Sequence, residues 1–269
     1  MMKNRIDKEM FDRFLVPSRS KAQELISSGV VFCNNKKVDK RNLLVSTEDE
    51  ILIKDNNLLK YVSRGGLKLE KAIKEFNIDV KNLKALDIGS STGGFCDCLI
   101  QNGIKKITAI DVGTNLLHEN LKNNKIIDLH EQTNFKDLES KYFLNIDIVT
   151  CDVSFISLKN IIAKLAKENI KIEGIFLIKP QFECGKDIAN KYKGIILNKQ
   201  IHEAIIKDLF KYFNSLGFFV KNLTFSPISG GDGNIEYLVY LSNKINENDE
   251  INIEEIVDKG FKEANGKGK

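Results

Sequence analysis

The apolar run LKALDIG passes directly into Ser90-Ser91-Thr92-Gly93-Gly94 and then into FCDCLIQ, an apolar stretch that can continue as a helix. A strand that turns into a helix through glycines belongs to the carboxyl edge of a parallel sheet, where the backbone reverses sharply and approaches a ligand. From residue 83 onward the alternation repeats. KITAIDVG, NIDIVTCDVS and GIFLIKP read as short apolar strands, with helices expected over 94–102, near 158–168 and near 198–215. FFVKNLTFSP and NIEYLVYLSN then read as closing strands, joined through FSPISGGDGN as a hairpin connection. Short apolar strands separated by helices predict an α/β class, a Rossmann-like domain with a mostly parallel sheet covered on both faces.

The glycine spacing narrows the ligand. Asp87 to Gly94 reads DxGxxxGG and lacks the GxGxxG pattern of a dinucleotide pyrophosphate site. Asp111 ends the next strand, where a carboxylate can accept both hydroxyls of a ribose. A sulfonium nucleoside, S-adenosylmethionine, meets these demands without a phosphate; a nicotinamide dinucleotide and a purely structural glycine turn are the alternatives. The candidate cofactor-binding residues are Asp87, Gly89, Ser90, Ser91, Thr92, Gly93, Gly94, Phe95 and Asp111. Asn134, placed near the adenine, and Asp152 join them at the same sheet edge.

Residues 1–55 have a different pattern. Met10, Phe11 and Phe14 recur at helical spacing, and after Pro17 the stretch SRSKAQELISSG offers Ser18 or Ser20 as a cap, an apolar stripe of Ala22, Leu25 and Ile26, and Gly29 as a stop. VVFCNNKKVDK predicts two short strands around a turn at Asn34-Asn35, and EILI another strand. The basic excess of the chain is N-terminal: residues 1–75 carry 16 Lys/Arg against 11 Asp/Glu, although the whole chain is only +4. The module ahead of the larger domain is read as a small α+β fold. Such charges either form a solvated face or dock an anionic partner, because phosphate contacts position RNA while reading little sequence. The candidates for RNA contact are Arg5, Arg13, Arg19, Lys21, Lys36, Lys37 and Arg41, with Lys40 beside them and Arg64 in the join. Residues 56–66 read as a linker made flexible by Gly65-Gly66, residues 67–243 as the larger domain and residues 244–269 as a charged tail, partly helical or frayed.

Lys179 ends the buried strand GIFLI, and an ammonium near apolar surroundings costs solvation unless a partner or a function compensates. Asp152, at the end of the neighbouring strand, can be that partner, in a structural ion pair or a catalytic one.

The ordered motifs RIDKEM, SRSKAQELISSGVVFCNN, YVSRGGLKL, DIGSSTGGFCDCL, AIDVG, CDVSFISL, LIKPQFE, KGIILN and SPISGGDGNIEYLVYL resemble those of the haemolysin A (TlyA) family over about residues 5–242. That resemblance implies an S4-type RNA-binding domain ahead of an FtsJ-like methyltransferase domain. It also implies methylation of cytidine 2'-hydroxyls in ribosomal RNA, and a Lys-Asp-Lys-Glu set carried here by Lys68, Asp152, Lys179 and Glu236. The types suit the chemistry. A ribose hydroxyl becomes a competent nucleophile when a proton acceptor is held against it. Lys179 in its amine form can be that acceptor, Asp152 can stabilise the lysine once protonated, and Lys68 and Glu236 can frame the ribose. Where the family's module turn carries glycine this chain has Asn35, which tolerates left-handed backbone angles. After Asp111-Val112-Gly113 it departs again, reading Thr114-Asn115-Leu116-Leu117-His118.

Other classes fit less well. The five cysteines include no CxxC pair, which argues against a disulfide scaffold and a zinc knuckle, predicts no metal and suits a reducing cytoplasm. His118, His130 and His202 are scattered and read as structural or surface residues. No apolar run approaches the roughly 20 residues that span a bilayer, so stable membrane insertion and a membrane-lytic role are disfavoured. A nonenzymatic RNA-binding or ribosome-assembly protein would not need the glycine loop together with all four polar residues. The expected partner is ribosomal RNA or a ribosomal subunit.

Overall fold

The computed structural model describes residues 3–55, 59–168, 170–230, 233–244 and 247–266. Residues 56–58 of the expected linker, Gly231 and Asp232 of the expected hairpin connection, and residues 245, 246 and 267–269 of the expected tail lie outside the described residues. The chain forms two compact units, Met1–Ser63 and Arg64–Lys269.

The first unit runs β1 (Asn4–Arg5), α1 (Ile6–Asp12), α2 (Arg19–Ser27), β2 (Val31–Cys33), β3 (Lys36–Lys37), β4 (Leu44–Val45) and β5 (Ile51–Ile53). Ser18 starts α2, its Oγ accepting from the Lys21 N–H at 3.1 Å, and the apolar stripe Ala22, Leu25 and Ile26 packs inward with Ile6, Met10 and Val31. Asn34 and Asn35 both take positive φ, 48° and 65°, and join β2 to β3 in a two-residue hairpin loop. Asparagine meets this left-handed requirement at modest cost.

The second unit runs α3 (Gly65–Glu75), β6 (Lys84–Ile88), α4 (Gly94–Gln101), β7 (Lys106–Ile110), α5 (Glu119–Lys122), β8 (Ile127–His130), β9 (Ile148–Cys151) and α6 (Leu158–Lys167). It continues with β10 (Glu173–Ile178), α7 (Pro180–Glu183), α8 (Gly185–Lys191), α9 (Lys199–Ser215), β11 (Phe219–Phe225), β12 (Tyr237–Ser242) and α10 (Ile253–Gly266). The seven-stranded sheet has the order β11-β12-β10-β9-β6-β7-β8, parallel except for β12, which is antiparallel to both its neighbours. β6 lies between β7 and β9, so strand order reverses around it and a crevice opens at its carboxyl end. β9 is buried along its length, the signature of a strand covered on both faces.

Two boundaries differ from the sequence expectation. Gly65 and Gly66 are the first turn of α3 rather than a flexible joint, and Gly66 is buried. The tail holds a helix, as its reading as partly helical allows, but that helix, α10, belongs to the domain: it seats Val257 and Phe261 in the main core, and its Gly260 lies so close to Phe225 that an added Cβ would meet Phe225 Cβ at 3.1 Å. His202 is also structural. Its Nε2 donates to the Ile196 carbonyl at 2.9 Å and its Nδ1 meets the Tyr237 hydroxyl at 2.7 Å, and burial pushes its pKa down to about 4, leaving it neutral.

Candidate active site

The crevice beside β6 is a cleft of about 500 Å³, in the size range of small-molecule sites. Gly89, with φ +80°, forms its floor; a Cβ there would meet the Asp152 carbonyl oxygen at 2.9 Å, so the ends of β6 and β9 approach this closely only through glycine. Gly93, φ +89°, starts α4 over Leu117 and Leu121, so the loop that departs from the family pattern packs beneath the glycine turn. Asp111 is fixed by two backbone donors, Ser91 N–H to Oδ2 and Gly113 N–H to Oδ1, each at 2.7 Å.

Of the expected cofactor residues, Gly89, Ser91, Asp111, Asn134 and Asp152 line the cleft, joined by apolar Ile88, Ile110, Val112, Leu116 and Phe135. Asp87, Ser90, Thr92, Gly93, Gly94 and Phe95 do not line it. Asp87 lies beneath, buried, accepting from the Thr150 hydroxyl at 2.7 Å and the Cys96 thiol at 3.1 Å; burial pushes its pKa up to about 6. Phe95 is a core side chain. Ser90 Oγ is buried with no hydrogen-bond partner among the described residues. The close-approach glycine, the backbone-anchored carboxylate and the apolar wall fit a nucleoside with an uncharged ribose.

Beside the cleft the four expected polar residues meet. β10 pairs with β12 so that Ile178 faces Tyr237, which makes Lys179 and Glu236 neighbours just past the ladder. Lys68 enters from α3 and places Nζ 2.6 Å from Glu236 Oε2 and 3.5 Å from Asp152 Oδ2. Lys179 Nζ lies 2.7 Å from Asp152 Oδ1 and donates to Ser154 Oγ at 2.9 Å. The result is an alternating row, Glu236, Lys68, Asp152, Lys179, in which Asp152 also walls the cleft. Burial acts to lower the Lys68 pKa, but Asp152 and Glu236 outweigh it and hold the ammonium above its ordinary value. Burial likewise acts to raise the Asp152 pKa, and Lys68 and Lys179 reverse it, so the carboxylate stays ionised. Gly230 makes room for this row, since a Cβ there would lie 2.7 Å from Glu236 Oε1.

Sequence reasoning missed Ser154, the hydroxyl on Lys179, and the prominence of Phe155. That residue is 90% exposed at the cleft with φ +66°, and its ring centroid lies 5.0 Å from that of Phe182. Both residues stand inside quoted motifs, but no spacing rule marks them.

In the first unit the basic candidates divide. Lys36, Lys37, Lys40 and Arg41 are exposed around the hairpin. Arg5 and Arg19 bind the buried Asp7 yet keep about half their side chains in solvent. Burial raises the Asp7 pKa, but hydrogen bonds from Arg5, Gln23 and Arg19 overcome this and hold it at about 2. Arg13 and Lys21 correct the expectation. Arg13 is spent on Glu9 and on the carbonyls of Ser46 and Asp49, and buried Lys21 donates to the Tyr61 carbonyl at 3.1 Å. Arg64 is half-buried at the start of α3.

Comparison with known proteins bears on the whole arrangement. Residues 61–243 match the FtsJ-like methyltransferase family and residues 4–51 match the S4 domain. The chain belongs to the FtsJ-like methyltransferase family. Its relatives include TlyA proteins: the chain is 42% identical over 242 residues to TlyA of Campylobacter jejuni, a 23S rRNA (cytidine-2'-O)-methyltransferase, covering 83% of this chain and 93% of that one. It is 41% identical over 239 residues to hemolysin A of Brachyspira hyodysenteriae, covering 88% and 98%. The solved structure of a candidate hemolysin from Streptococcus thermophilus matches with a TM-score of 0.78 at 37% identity, covering 100% of this chain and 99% of that one. This FtsJ-like methyltransferase therefore joins a small α+β S4 module to an α/β Rossmann-like domain. Among its described residues no helix is long and apolar enough to cross a membrane, and no His, Cys, Asp and Glu cluster could hold a metal.

Proposed function

We propose that this chain transfers a methyl group from S-adenosylmethionine to a ribose 2'-hydroxyl of ribosomal RNA, at a cytidine, in the cytoplasm. The observation that carries the reading is Asp152, which walls the nucleoside-sized cleft and ion-pairs with Lys179 at 2.7 Å. Asp111 would hold the cofactor's ribose hydroxyls, Gly89 and Ser91 its amino-acid side, and Asn134 with the apolar wall its adenine. When bound, S-adenosylmethionine supplies an electrophilic methyl group and leaves as a neutral thioether, so its departure needs no acid.

The chain's own residues manage the other half of the reaction. Lys179 in its amine form can keep hydrogen bonds to Asp152 and Ser154 and still offer a lone pair to the 2'-hydroxyl proton. Asp152, which Lys68 helps to keep ionised while Lys179 is neutral, stabilises the ammonium that then forms. The Lys68–Glu236 pair holds the other side of Asp152, so its carboxylate does not turn away from Lys179. The exposed basic residues of the S4 module supply phosphate contacts, which position RNA without reading its bases. The choice of cytidine in ribosomal RNA rests on the relatives.

Lys179→Met tests the assignment, because it keeps much of the side-chain length while removing the nitrogen. With saturating RNA and S-adenosylmethionine, single-turnover methylation should fall by roughly 10²–10⁴-fold, the range for loss of a general base. Asp152→Asn should also be slow, and both proteins should still bind cofactor and RNA. A near wild-type rate for Lys179→Met would exclude it as the proton acceptor.

A further inference from the structure

The ladder between β9 and β10 ends at Cys151 and Phe176. The segments beyond it, Asp152 to Ser157 and Lys179 to Glu183, carry the reacting groups, and side chains join them. At the near end Lys179 Nζ meets Asp152 and Ser154. At the far end Glu183, the last residue of α7, accepts from the Ser157 hydroxyl at 2.6 Å through Oε2 and from the Leu158 N–H at 2.8 Å through Oε1. Between them the rings of Phe155 and Phe182 touch.

Glu183 is not required simply to start α6. Ser157 already caps that helix through the Lys159 N–H at 3.1 Å. Burial raises the Glu183 pKa, against the bonds from Ser157 and Leu158, so a carboxylate here is a costly way to fill a helix start. What it restrains is the loop. Phe155 holds φ +66°, a conformation that costs a bulky residue on the order of 1–3 kcal/mol unless its surroundings enforce it. The residue is 90% exposed, so burial does not enforce it. The restraint comes from the loop's two ends, which are Asp152, whose N–H donates to the Ile88 carbonyl at 3.1 Å, and the Ser157–Leu158 pair on Glu183.

We propose that Glu183 is a positioning residue for methyl transfer, one that ties the far end of the Asp152–Ser157 loop to the turn carrying Lys179 and so sets where Ser154 holds Lys179 Nζ. The proposal rests on the reading of Lys179 as proton acceptor. Misplacing a reacting group by about 1 Å can cost on the order of 100-fold in rate. Loss of this tie should therefore slow the chemical step more than it weakens cofactor binding, since residues 152–156 of the same loop line the cleft but Lys179 depends on its geometry most directly.

The test uses the full-length protein with folded ribosomal RNA substrate, and compares Glu183→Ala, Glu183→Gln, Lys179→Met and the Lys179→Met/Glu183→Ala double variant. Cofactor affinity is read by calorimetry, melting temperature by circular dichroism, and KM and single-turnover rate well below melting. At saturating cofactor Glu183→Ala should lose about 10- to 100-fold in rate, with a smaller loss of cofactor affinity and an RNA KM within about threefold of wild type. Glu183→Gln should recover most of the rate, since its amide oxygen can accept from Leu158 N–H and its NH₂ can donate to Ser157 Oγ. The double variant should be no slower than Lys179→Met alone, because Glu183 acts through Lys179. A Glu183→Ala protein that melts lower but turns over at the wild-type rate overturns the positioning role, while a slow Lys179→Met beside it leaves the proton-acceptor reading intact. A fast Lys179→Met beside a slow Glu183→Ala also overturns the proposal, by removing the group on which Glu183 is said to act.

Discussion

Asp87→Asn separates a carboxylate that supports the cofactor loop from one that touches the cofactor. The side chain is 1% exposed, receives one hydroxyl and one thiol hydrogen bond, and has its pKa pushed from 3.8 to about 6, mainly by burial. A folded-state pKa above the unfolded one means that the fold prefers the protonated form. The contribution of Asp87 to stability is therefore fully present below pH 3.8 and is lost as pH rises through about 6. A shift of this size corresponds to about 3 kcal/mol, of which about 2 kcal/mol falls between pH 4 and pH 8. Asparagine keeps an acceptor for Thr150 and carries no charge, so the stability of the variant relative to wild type should rise by about 2 kcal/mol over that interval. Urea unfolding of both proteins at several pH values measures the difference, and calorimetry with S-adenosylmethionine should show affinities within about twofold. A stability difference that does not change with pH would refute the assignment of a buried, unpaired carboxylate. A large loss of cofactor affinity would show that Asp87 reaches the ligand.

Gly89→Ala forces a left-handed angle on a residue with a Cβ, costing about 1–2 kcal/mol, and pushes that Cβ against the Asp152 carbonyl. Cofactor binding should weaken about tenfold or more and the melting temperature should fall; unchanged affinity in the folded variant would contradict the close-approach role. In the S4 module, Lys37→Ala should weaken RNA binding and reduce the slope of log affinity against log salt by about 0.7–0.9. Lys21→Met should leave that slope unchanged and lower the melting temperature, because Lys21 spends its charge inside the module. Salt titrations of both variants that gave the same slope change would defeat this division.

The elements with strong local signals were legible from residues alone. The DxGxxxGG turn, the asparagine hairpin and the cap at Ser18 depend on nearest neighbours, and each takes the conformation its residue types favour. β8 escaped notice because it is a half-buried edge strand carrying Asp128 and His130, with no clean alternation to mark it. A motif position does not say which way a carboxylate points, so Asp87 and Asp111 looked alike although one faces Thr150 and the other the cleft. The count of basic residues was equally blind to Arg13 and Lys21, whose charges are consumed internally. The Lys68–Glu236 contact joins residues 168 apart, a distance no local pattern spans. Only the family resemblance brought them together, and the Glu183 tie was in neither reading.

Because β12 runs against its neighbours, it brings its first residues to the edge where the parallel strands bring their last. Glu236 thus comes to Lys179 from the start of the last strand of the sheet in chain order, and synthesis from the amino end delivers it after every other strand. A nascent polypeptide that has already released its S4 module and its glycine loop still lacks the carboxylate that receives Lys68 at 2.6 Å. Any fragment ending before β12 is left with two lysines sharing one aspartate. Completion of the four-residue row thus waits for β12, the last strand of the sheet in chain order.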